Sequence, residues 1–389
     1  MPLYEEVQSV CFVGSGAMGC FNALVAGAAG LNCSVYDSSQ TAMTSLPERL
    51  RAMGGHLCQQ GFFSSDDLTR ALDGITPFDD LRAAIAGATL VSESVPEQPD
   101  IKKAVLAEPD GLCGEHVIIT TNTSTLLPSE LEGALAKPER FAALHSHLGA
   151  KVFDIVGGSR TDPQLLEQLE AYVRCLGGYP LLLSKENPGY VINSILGPLL
   201  TASLLLMTEK VVSAEVIDRA WMRSQSVAIG PVGLMDLFGL DVIFDSWQRP
   251  GRLNHPLRPR ILAQLAPLIE SNALGIKSGQ GFYNYPDPAY AQAEFLVGTT
   301  NDKTIESCLI AVFLTHALAL EVNGVTEAWK VDEAWTLSFG SSEGPFAQLQ
   351  ALGIPALKKY QDEALRRGLL DGDVLSLVSE HLTNTASPN

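Results

Sequence analysis

The stretch SVCFVGSGAMGC (residues 9–20) decides the fold class, because it joins a short apolar strand to a glycine-rich turn. Val10 to Val13 form a β-branched and aromatic run, and glycines follow at 14, 16 and 19 with the spacing GxGxxG. The first glycine permits the tight bend, the second lets a pyrophosphate approach the backbone, and the third lets helix and strand pack closely. The residues of this predicted dinucleotide-binding turn are Gly14, Ser15, Gly16, Ala17, Met18 and Gly19.

The residues after the turn complete a strand–helix–strand unit. FNALVAGAAG (21–30) is compatible with a helix, and CSVYD (33–37) predicts a second strand that ends at Asp37. An acid at this place accepts hydrogen bonds from the adenine-ribose hydroxyls and repels a 2′-phosphate. A GxGxxG spacing alone is a weak signal, but here the strand, the helix and the acid are all present. We therefore predict NAD, rather than NADP, as the cofactor.

Apolar runs alternate with helical stretches from residue 87 to residue 183, which predicts a mainly parallel, doubly wound sheet. The predicted strands are ATLVSES (88–94), HVIITTN (116–122), RFAALH (140–145), KVFDIVG (151–157) and YPLLLS (179–184). Ligands of such sheets lie at the carboxyl ends of the strands. The sequence places Glu97, NTS (122–124) and His145 at these ends.

The composition restricts the protein class and its partners. The 389 residues are 46% hydrophobic and 18% charged, as in compact soluble proteins. The net charge of −18 argues against nucleic acid and anionic membranes as partners. Seven scattered cysteines indicate reduced thiols, and the start MPLYEEVQSV lacks the features of a signal peptide. The longest apolar run, SILGPLLTASLLLM (194–207), falls short of a membrane span. We expect a cytoplasmic protein.

Six segments, in order along the chain, resemble the L-3-hydroxyacyl-CoA dehydrogenase family of fatty acid metabolism, over about residues 8 to 289. The segments are VGSGAMG (13–19), VSESVPEQPDIKK (91–103), NTS (122–124) ahead of RFAALH (140–145), ENPGYVINSIL (186–196), GPVGLMDLFGLD (230–241) and GIKSGQGFYNY (275–285). Six segments in order are far more specific than any one of them. The resemblance implies an NAD-dependent oxidoreductase that interconverts an L-3-hydroxyacyl-CoA and the 3-oxoacyl-CoA.

The resemblance also implies a role for each matching residue. His145 would be the general base that removes the hydroxyl proton, and Asp154 stands where the family has a glutamate that orients the imidazole. Imidazole suits this work because its pKa lies near the working pH. Ser124 and Asn193 would position the substrate carbonyl and the nicotinamide. The further cofactor contacts that the resemblance implies are Glu97, Lys102 and Lys277.

The sequence departs from the family near the site. SHLGA (146–150) replaces two aromatic residues and Asn-Pro, and the gap from the histidine to the acid is about three residues shorter. Gln59 and Gln60 stand where lysines that hold CoA are expected. Both departures favour a second reading, a dehydrogenase of a hydroxy acid without CoA, as in lambda-crystallin-like gulonate dehydrogenases. A third reading, from another class, is a catalytically inactive NAD-binding protein.

The two histidines also allow other interpretations. His145 and His147 in a strand would share one face, an arrangement compatible with Zn²⁺. No third ligand stands at a recognisable spacing, so we predict no metal. Both histidines are alternatively structural, with Asp154 at the end of a strand.

Four further polar residues have a structural reading. Ser124 is alternatively a loop hydroxyl that makes a local turn bond. Lys102 and Lys103 alternatively form a solvated helix face. Glu93 is interpreted as structural, since nothing in the sequence gives it a substrate.

A repeat divides the helical part of the chain. Segment 216–241 aligns without gaps on 330–355 at an offset of 114, and Trp221 falls on Trp335. The fold class is therefore α/β then all-α, a Rossmann-type sheet followed by two related helical domains. The predicted domains are 1–186 (NAD-binding), 187–296 (helical) and 297–389 (a second, degenerate helical copy), with a linker over 285–300. A fused second copy would form a pseudo-dimer, so we expect a monomer or a homodimer that binds a small-molecule substrate.

Overall fold

The apolar runs between residues 9 and 184 form one eight-stranded sheet in the computed structural model, which describes residues 6–208, 212–297 and 302–385. The strands are β1 (Ser9–Val13), β2 (Asn32–Tyr36), β3 (Ile75–Phe78), β4 (Leu90–Glu93), β5 (Ile118–Thr121), β6 (Phe141–Ser146), β7 (Val152–Gly157) and β8 (Tyr179–Leu182). Their order across the sheet is β3-β2-β1-β4-β5-β6-β7-β8. The strand order reverses between β1 and β4, where doubly wound folds bind their ligands.

All neighbouring strands are parallel except β6 and β7, which are antiparallel. The prediction of a Rossmann-type, mainly parallel sheet is confirmed. The sequence analysis missed β3, because its four residues ITPF include Pro77 and do not alternate in polarity. Proline is tolerated there because β3 lies at the edge of the sheet.

Seven α-helices accompany the sheet within the described residues. They are α1 (Ala17–Ala28), α2 (Gln40–Gln59), α3 (Ser65–Gly74), α4 (Leu81–Ile85), α5 (Pro99–Leu112), α6 (Pro128–Leu131) and α7 (Pro163–Cys175), with short 3-10 helices at Glu132–Ala134 and Pro138–Arg140. Helices α2 and α3 form a hairpin, and Ser64 starts α3 with a capping box to Asp67. Small residues and the fully buried Phe21 and Leu24 let α1 pack tightly in the core.

The remaining helices belong to a second compact unit, which begins at Ile192 and excludes Gly324–Thr326. They are α8 (Ile192–Thr208), α9 (Ala214–Gln225), α10 (Pro231–Phe238), α11 (Leu240–Ser246), α12 (Arg258–Glu270), α13 (Lys303–Val322), α14 (Ala328–Phe339), α15 (Pro345–Leu352), α16 (Ile354–Arg366) and α17 (Gly372–Thr385), with 3-10 helices at Pro250–Arg252, Ile276–Ser278 and Ala289–Ala291. The end of the predicted linker, 298–300, lies outside the described residues. The division into two helical domains remains a prediction.

The repeated segments have matching local structure. Helices α9 and α10 have the bounds of α14 and α15 when 114 is added to each number. Asp218 accepts hydrogen bonds from the N–H groups of Val232 and Gly233, at the start of α10. Asp332 accepts the same two bonds at the start of α15. This correspondence supports the duplication, which we retain as a proposal.

Helix α13 corrects one expectation from the sequence. By length and composition alone, with a mean hydropathy of 1.8, it is long enough and apolar enough to cross a membrane, whereas we had placed the longest apolar run at 194–207. Most of α13 is buried in the second unit, as in the core helix of a soluble protein. Phe313 lies at its middle, with ring centroids 5.3 Å from Trp221 and 4.7 Å from Trp335. The two repeated tryptophans therefore pack on one ring.

We predict that Phe313→Ala lowers the free energy of unfolding of the helical unit by about 3–5 kcal/mol, because it leaves a cavity between two tryptophans. Urea unfolding followed by circular dichroism measures the change. Trp329→Ala is the matched control, since Trp329 is 59% exposed, and we expect a change within about 0.5 kcal/mol. Equal effects of the two substitutions would show that Phe313 is not the centre of this core.

Candidate active site

The glycine-rich turn has the geometry that its spacing predicts. Gly14 has a φ of +97°, which L residues rarely adopt, and its N–H donates to the carbonyl of Tyr36. A Cβ at Gly19 would lie 1.9 Å from the carbonyl oxygen of Gly14. A Cβ at Gly16 would meet no atom within 4 Å, so the backbone at the start of α1 faces open space. A pyrophosphate needs such a space, together with the N–H groups of the first helical turn.

Asp37 lies directly after β2 and holds the turn in place. Its Oδ2 accepts hydrogen bonds from the N–H and the hydroxyl of Ser15, at 2.8 and 3.0 Å. Arg49 on α2 donates to the carbonyl and to the hydroxyl of the same serine. The sequence analysis missed Arg49, because nothing in α2 marks which arginine faces the turn. Ser15, predicted to contact the cofactor, is thus buried between an acid and a guanidinium.

The antiparallel pairing of β6 and β7 brings His145 and Asp154 together. The two residues stand directly opposite each other in the register. Side chains of such pairs point to the same face, with Cβ atoms about 4.5–5.5 Å apart. A tight turn closes the hairpin, in which the N–H of Ala150 donates to the carbonyl of His147. The shortened loop therefore fixes the register, and an aspartate is long enough to reach the histidine.

The two imidazoles share one carboxylate oxygen. His145 Nδ1 and His147 Nε2 each lie 2.9 Å from Asp154 Oδ2. The ring centroids of the two histidines are 4.5 Å apart, nearly edge to face. The side chain of Asp154 is fully buried, and its Oδ1 accepts no hydrogen bond from the residues that the structure describes. Asp154 thus lies beside both rings as a third potential metal ligand, which its spacing in the sequence did not mark.

The buried cluster changes the pKa of its members. Burial, aided by the neighbouring charge of His147, lowers the pKa of His145, although the hydrogen bond that His145 donates to Asp154 opposes this. Burial alone would raise the pKa of Asp154, but the hydrogen bonds from both histidines outweigh it and lower that pKa. At neutral pH the cluster therefore holds a carboxylate beside a neutral His145. If Nδ1 donates to Asp154, Nε2 of His145 is left as a proton acceptor.

Neighbouring polar and aromatic groups fix the strand that carries His145. Asn122, directly after β5, accepts hydrogen bonds from the N–H and the hydroxyl of Ser146, at 2.9 and 3.0 Å. The ring of Tyr190, which is fully buried, lies 5.5 Å from the imidazole of His145. Its hydroxyl donates to the carbonyl of Leu126. These contacts leave the imidazole little freedom to rotate.

Glu97 organises the loop that carries Ser124. Its Oε1 accepts hydrogen bonds from the N–H groups of Ser124 and Thr125 and from the hydroxyl of Thr123. Burial would raise the pKa of Glu97, but the charge of Lys102 and these hydrogen bonds lower it to about 2. The Ser124 hydroxyl forms no hydrogen bond with any described residue. At Ser124, therefore, the backbone N–H is bound to Glu97, whereas the side-chain hydroxyl is available to a ligand.

Lys102 is buried, contrary to the alternative of a solvated helix face. Only 1% of its side chain is exposed, and its Nζ lies 2.8 Å from Glu93 Oε1 and 3.4 Å from Glu97 Oε2. Glu93 is equally buried and also accepts a hydrogen bond from the hydroxyl of Thr121. These contacts support the structural interpretation of Glu93. Lys102 thus contacts two carboxylates, and one of them, Glu97, accepts a hydrogen bond from the N–H of Ser124.

The two other predicted site residues lie in the second unit. Asn193 is the second residue of α8 and is half-buried. Lys277 lies in the 3-10 helix Ile276–Ser278, is exposed, and pairs with Asp241. Their predicted contacts with the nicotinamide and the cofactor stay predictions.

Two family models match consecutive parts of the chain. The model of the 3-hydroxyacyl-CoA dehydrogenase NAD-binding domain covers residues 9–187, and that of the 3-hydroxyacyl-CoA dehydrogenase C-terminal domain covers residues 189–285. These ranges end before the second copy of the repeat.

Named relatives agree with the family models. The 3-hydroxyadipyl-CoA dehydrogenase of Escherichia coli K12 is 31% identical over 75% of this chain, which spans 61% of that relative. The 5-formyl-3-hydroxy-2-methylpyridine 4-carboxylate 5-dehydrogenase of Mesorhizobium japonicum is 30% identical over 72% of this chain and 91% of its own length. The crystal structure of 3-hydroxybutyryl-CoA dehydrogenase from E. coli K12 covers 97% of this chain and 98% of its own, with a TM-score of 0.77 at 22% identity. That last likeness concerns the fold, and it extends through the second unit.

We predict that Lys102→Met lowers the free energy of unfolding by about 3–5 kcal/mol, because it leaves a buried carboxylate at Glu93 without its partner. Urea unfolding measures the loss. Lys103→Met, one residue further along α5, is the matched control, and we expect a change within about 0.5 kcal/mol. A loss as large in Lys103→Met would contradict the assignment of a special role to the buried pair.

Proposed function

The chain belongs to the 3-hydroxyacyl-CoA dehydrogenase family, and from this premise we propose that it interconverts an L-3-hydroxyacyl-CoA and the 3-oxoacyl-CoA, with His145 as the general base. The observation that carries the proposal is the 2.9 Å contact between His145 Nδ1 and Asp154 Oδ2, made by opposite residues of two paired strands. That distance is within the reach expected of a base and the group that orients it.

The protein is an NAD-dependent oxidoreductase that acts on CH–OH groups. A bound NAD would supply the hydride acceptor for oxidation of the carbinol carbon, and bound NADH the hydride donor for the reverse reaction. We propose that the turn at residues 14–19 holds the pyrophosphate and that Asp37 holds the adenine ribose. The open space at Gly16 and the position of Asp37 directly after β2 support this assignment. Asp37 would also repel a 2′-phosphate.

In the proposed mechanism His145 Nε2 takes the proton of the substrate hydroxyl. Asp154 holds the Nδ1 proton in place and stabilises the imidazolium that forms. In the reverse direction the imidazolium returns the proton to the carbonyl oxygen. The lowered pKa of His145 suits removal of a proton, because the imidazole is neutral at neutral pH.

We propose that Ser124 donates a hydrogen bond to the substrate oxygen through its hydroxyl. Glu97 supports this role, since it fixes the backbone of Ser124 and leaves the hydroxyl available. We retain Asn193 as a positioning residue for the nicotinamide, and Glu97 and Lys277 as cofactor contacts. Lys102 would assist through Glu97, with which it forms an ion pair.

A second candidate function is the dehydrogenation of a hydroxy acid without CoA. Gln59, at the end of α2, and Gln60 provide no positive charge for a CoA phosphate. Lys151, which directly precedes β7, lies 5.4 Å from the ring centroid of Phe62. The ammonium group of Lys151 at this position suits one carboxylate of a substrate. The M. japonicum relative, named for a pyridine carboxylate substrate, belongs to the same lineage.

A catalytically inactive NAD-binding protein is the third candidate. Side chains of His145 and Asp154 that point apart would favour this candidate, whereas they lie within hydrogen-bond distance. We further propose a cytoplasmic protein that exists as a monomer or homodimer, in which the second helical copy occupies the surface of a partner. The burial of α13 supports a soluble protein.

We predict that the protein oxidises NADH with acetoacetyl-CoA and that His145→Ala lowers kcat by about 10²–10⁴, because the variant lacks the proton donor for reduction. NADH fluorescence titration should give the same Kd for both proteins. His56→Ala, an exposed residue of α2, is the matched control and should leave kcat unchanged.

Other outcomes of the assay distinguish the candidates. Turnover of free acetoacetate alone would move the assignment to the hydroxy acid dehydrogenase. NADH binding without turnover of either compound would support the inactive protein. Wild-type turnover in His145→Ala would exclude His145 as the base.

A further inference from the structure

The hairpin of β6 and β7 brings three metal-binding side chains to one point. One ligand atom each from His145, His147 and Asp154 lies within 4.8 Å of the others. His145 and His147 are two residues apart and share a face, while the strand register brings in Asp154 from the other strand. The hairpin, rather than a recognisable spacing in the sequence, assembles the set.

We propose that His145, His147 and Asp154 bind a divalent transition metal ion, with Zn²⁺ as the best fit, and that the bound ion switches off the base. Two imidazoles and one carboxylate are a donor set that Zn²⁺ uses where a fourth position stays open. Mg²⁺ and Ca²⁺ prefer oxygen ligands and suit this set poorly.

The cluster is organised before any ion arrives. Asp154 is fully buried, and no described residue donates a hydrogen bond to its Oδ1. Buried polar atoms normally have partners. The carboxylate that contacts both imidazoles through Oδ2 therefore has, at Oδ1, an unused lone-pair site for a ligand. The side chains of His145 and His147 are 8% and 15% exposed, so an ion reaches the cluster from the side of His147.

The distances fit with a small outward movement. Each imidazole nitrogen lies 2.9 Å from Asp154 Oδ2. In a tetrahedral zinc site with bonds of about 2.0–2.2 Å, ligand atoms stand about 3.3 Å apart. Each imidazole nitrogen therefore needs to move a few tenths of an ångström away from Asp154 Oδ2. The two nitrogens, which lie within 4.8 Å of each other, need to reach the same separation.

The ion would block catalysis by changing the tautomer of His145. In the proposed mechanism Nδ1 carries the proton and Nε2 accepts the proton of the substrate. An ion on Nδ1 needs the lone pair of that atom, so the imidazole proton moves to Nε2 through solvent, without oxidation or reduction. Nε2 then has no lone pair for the substrate proton. This inhibition rests on the proposed function, whereas metal binding does not.

The test begins with binding, measured independently of turnover. The purified full-length protein, freed of metal with a chelator, is titrated with Co²⁺ and followed by visible absorption, and Zn²⁺ affinity is measured against a chromophoric chelator. We expect one ion per chain with a tetrahedral Co²⁺ spectrum. His147→Asn and His145→Gln should each weaken binding at least about tenfold. His56→Asn, which alters an exposed histidine, should bind as the wild type does.

Circular dichroism verifies that each variant is folded. If either His147→Asn or His145→Gln does not fold, the other still tests the site. Absence of a tetrahedral Co²⁺ spectrum in the wild type, or equal affinity in His147→Asn and His145→Gln, would overturn the proposal. Zn²⁺ should also inhibit NADH oxidation, with full recovery on addition of EDTA. Binding without inhibition would overturn the regulatory part. If no substrate turns over at all, the proposed function fails while the Co²⁺ spectrum still decides the metal site.

Discussion

The pairing register of β6 and β7 is the constraint on which the candidate site depends. A slip of one residue would turn Asp154 to the other face of the sheet, away from both imidazoles. The register is fixed by a short turn with Gly149 at positive φ and by the hydrogen bonds of Ser146 to Asn122. In this register the short side chain of Asp154 reaches both imidazoles. One carboxylate serves two imidazoles, so its position governs the chemistry of both.

Beside the cluster of His145, His147 and Asp154, the parallel part of the sheet carries a second buried polar network. Lys102 lies between Glu93 at the end of β4 and Glu97 in the loop that follows. Glu97 in turn holds the backbone of Ser124 after β5. A buried lysine with two carboxylates costs desolvation, and each partner lost leaves a charge without compensation. The network thus couples the stability of the domain to the position of the serine proposed to contact the substrate.

The sequence predicted most strands and helices, but few of the contacts between side chains that are distant along the chain. The glycine spacing and the apolar runs predicted the sheet, because strand order in doubly wound folds follows from short right-handed connections. The edge strand β3 was missed, and the longest apolar run was placed at 194–207 rather than in α13, since burial is decided by packing that no window of sequence contains. Arg49, Tyr190 and the contact between His147 and Asp154 were not predicted either. Each of these contacts depends on which face of a helix or strand packs against an element that is distant in the sequence. The spacing of residues along the chain does not show which face this is.

The most direct test of the account is the position of the imidazole proton on His145. Protein labelled with ¹⁵N-histidine and kept metal-free with EDTA at pH 8 would be examined by long-range ¹H–¹⁵N correlation, with His145 assigned by the loss of its signals in His145→Gln. Because Asp154 accepts from Nδ1, we expect a neutral ring protonated on Nδ1, with an unprotonated Nε2. A ring protonated on Nε2 would contradict the account, since His145 would then have no lone pair to offer the substrate.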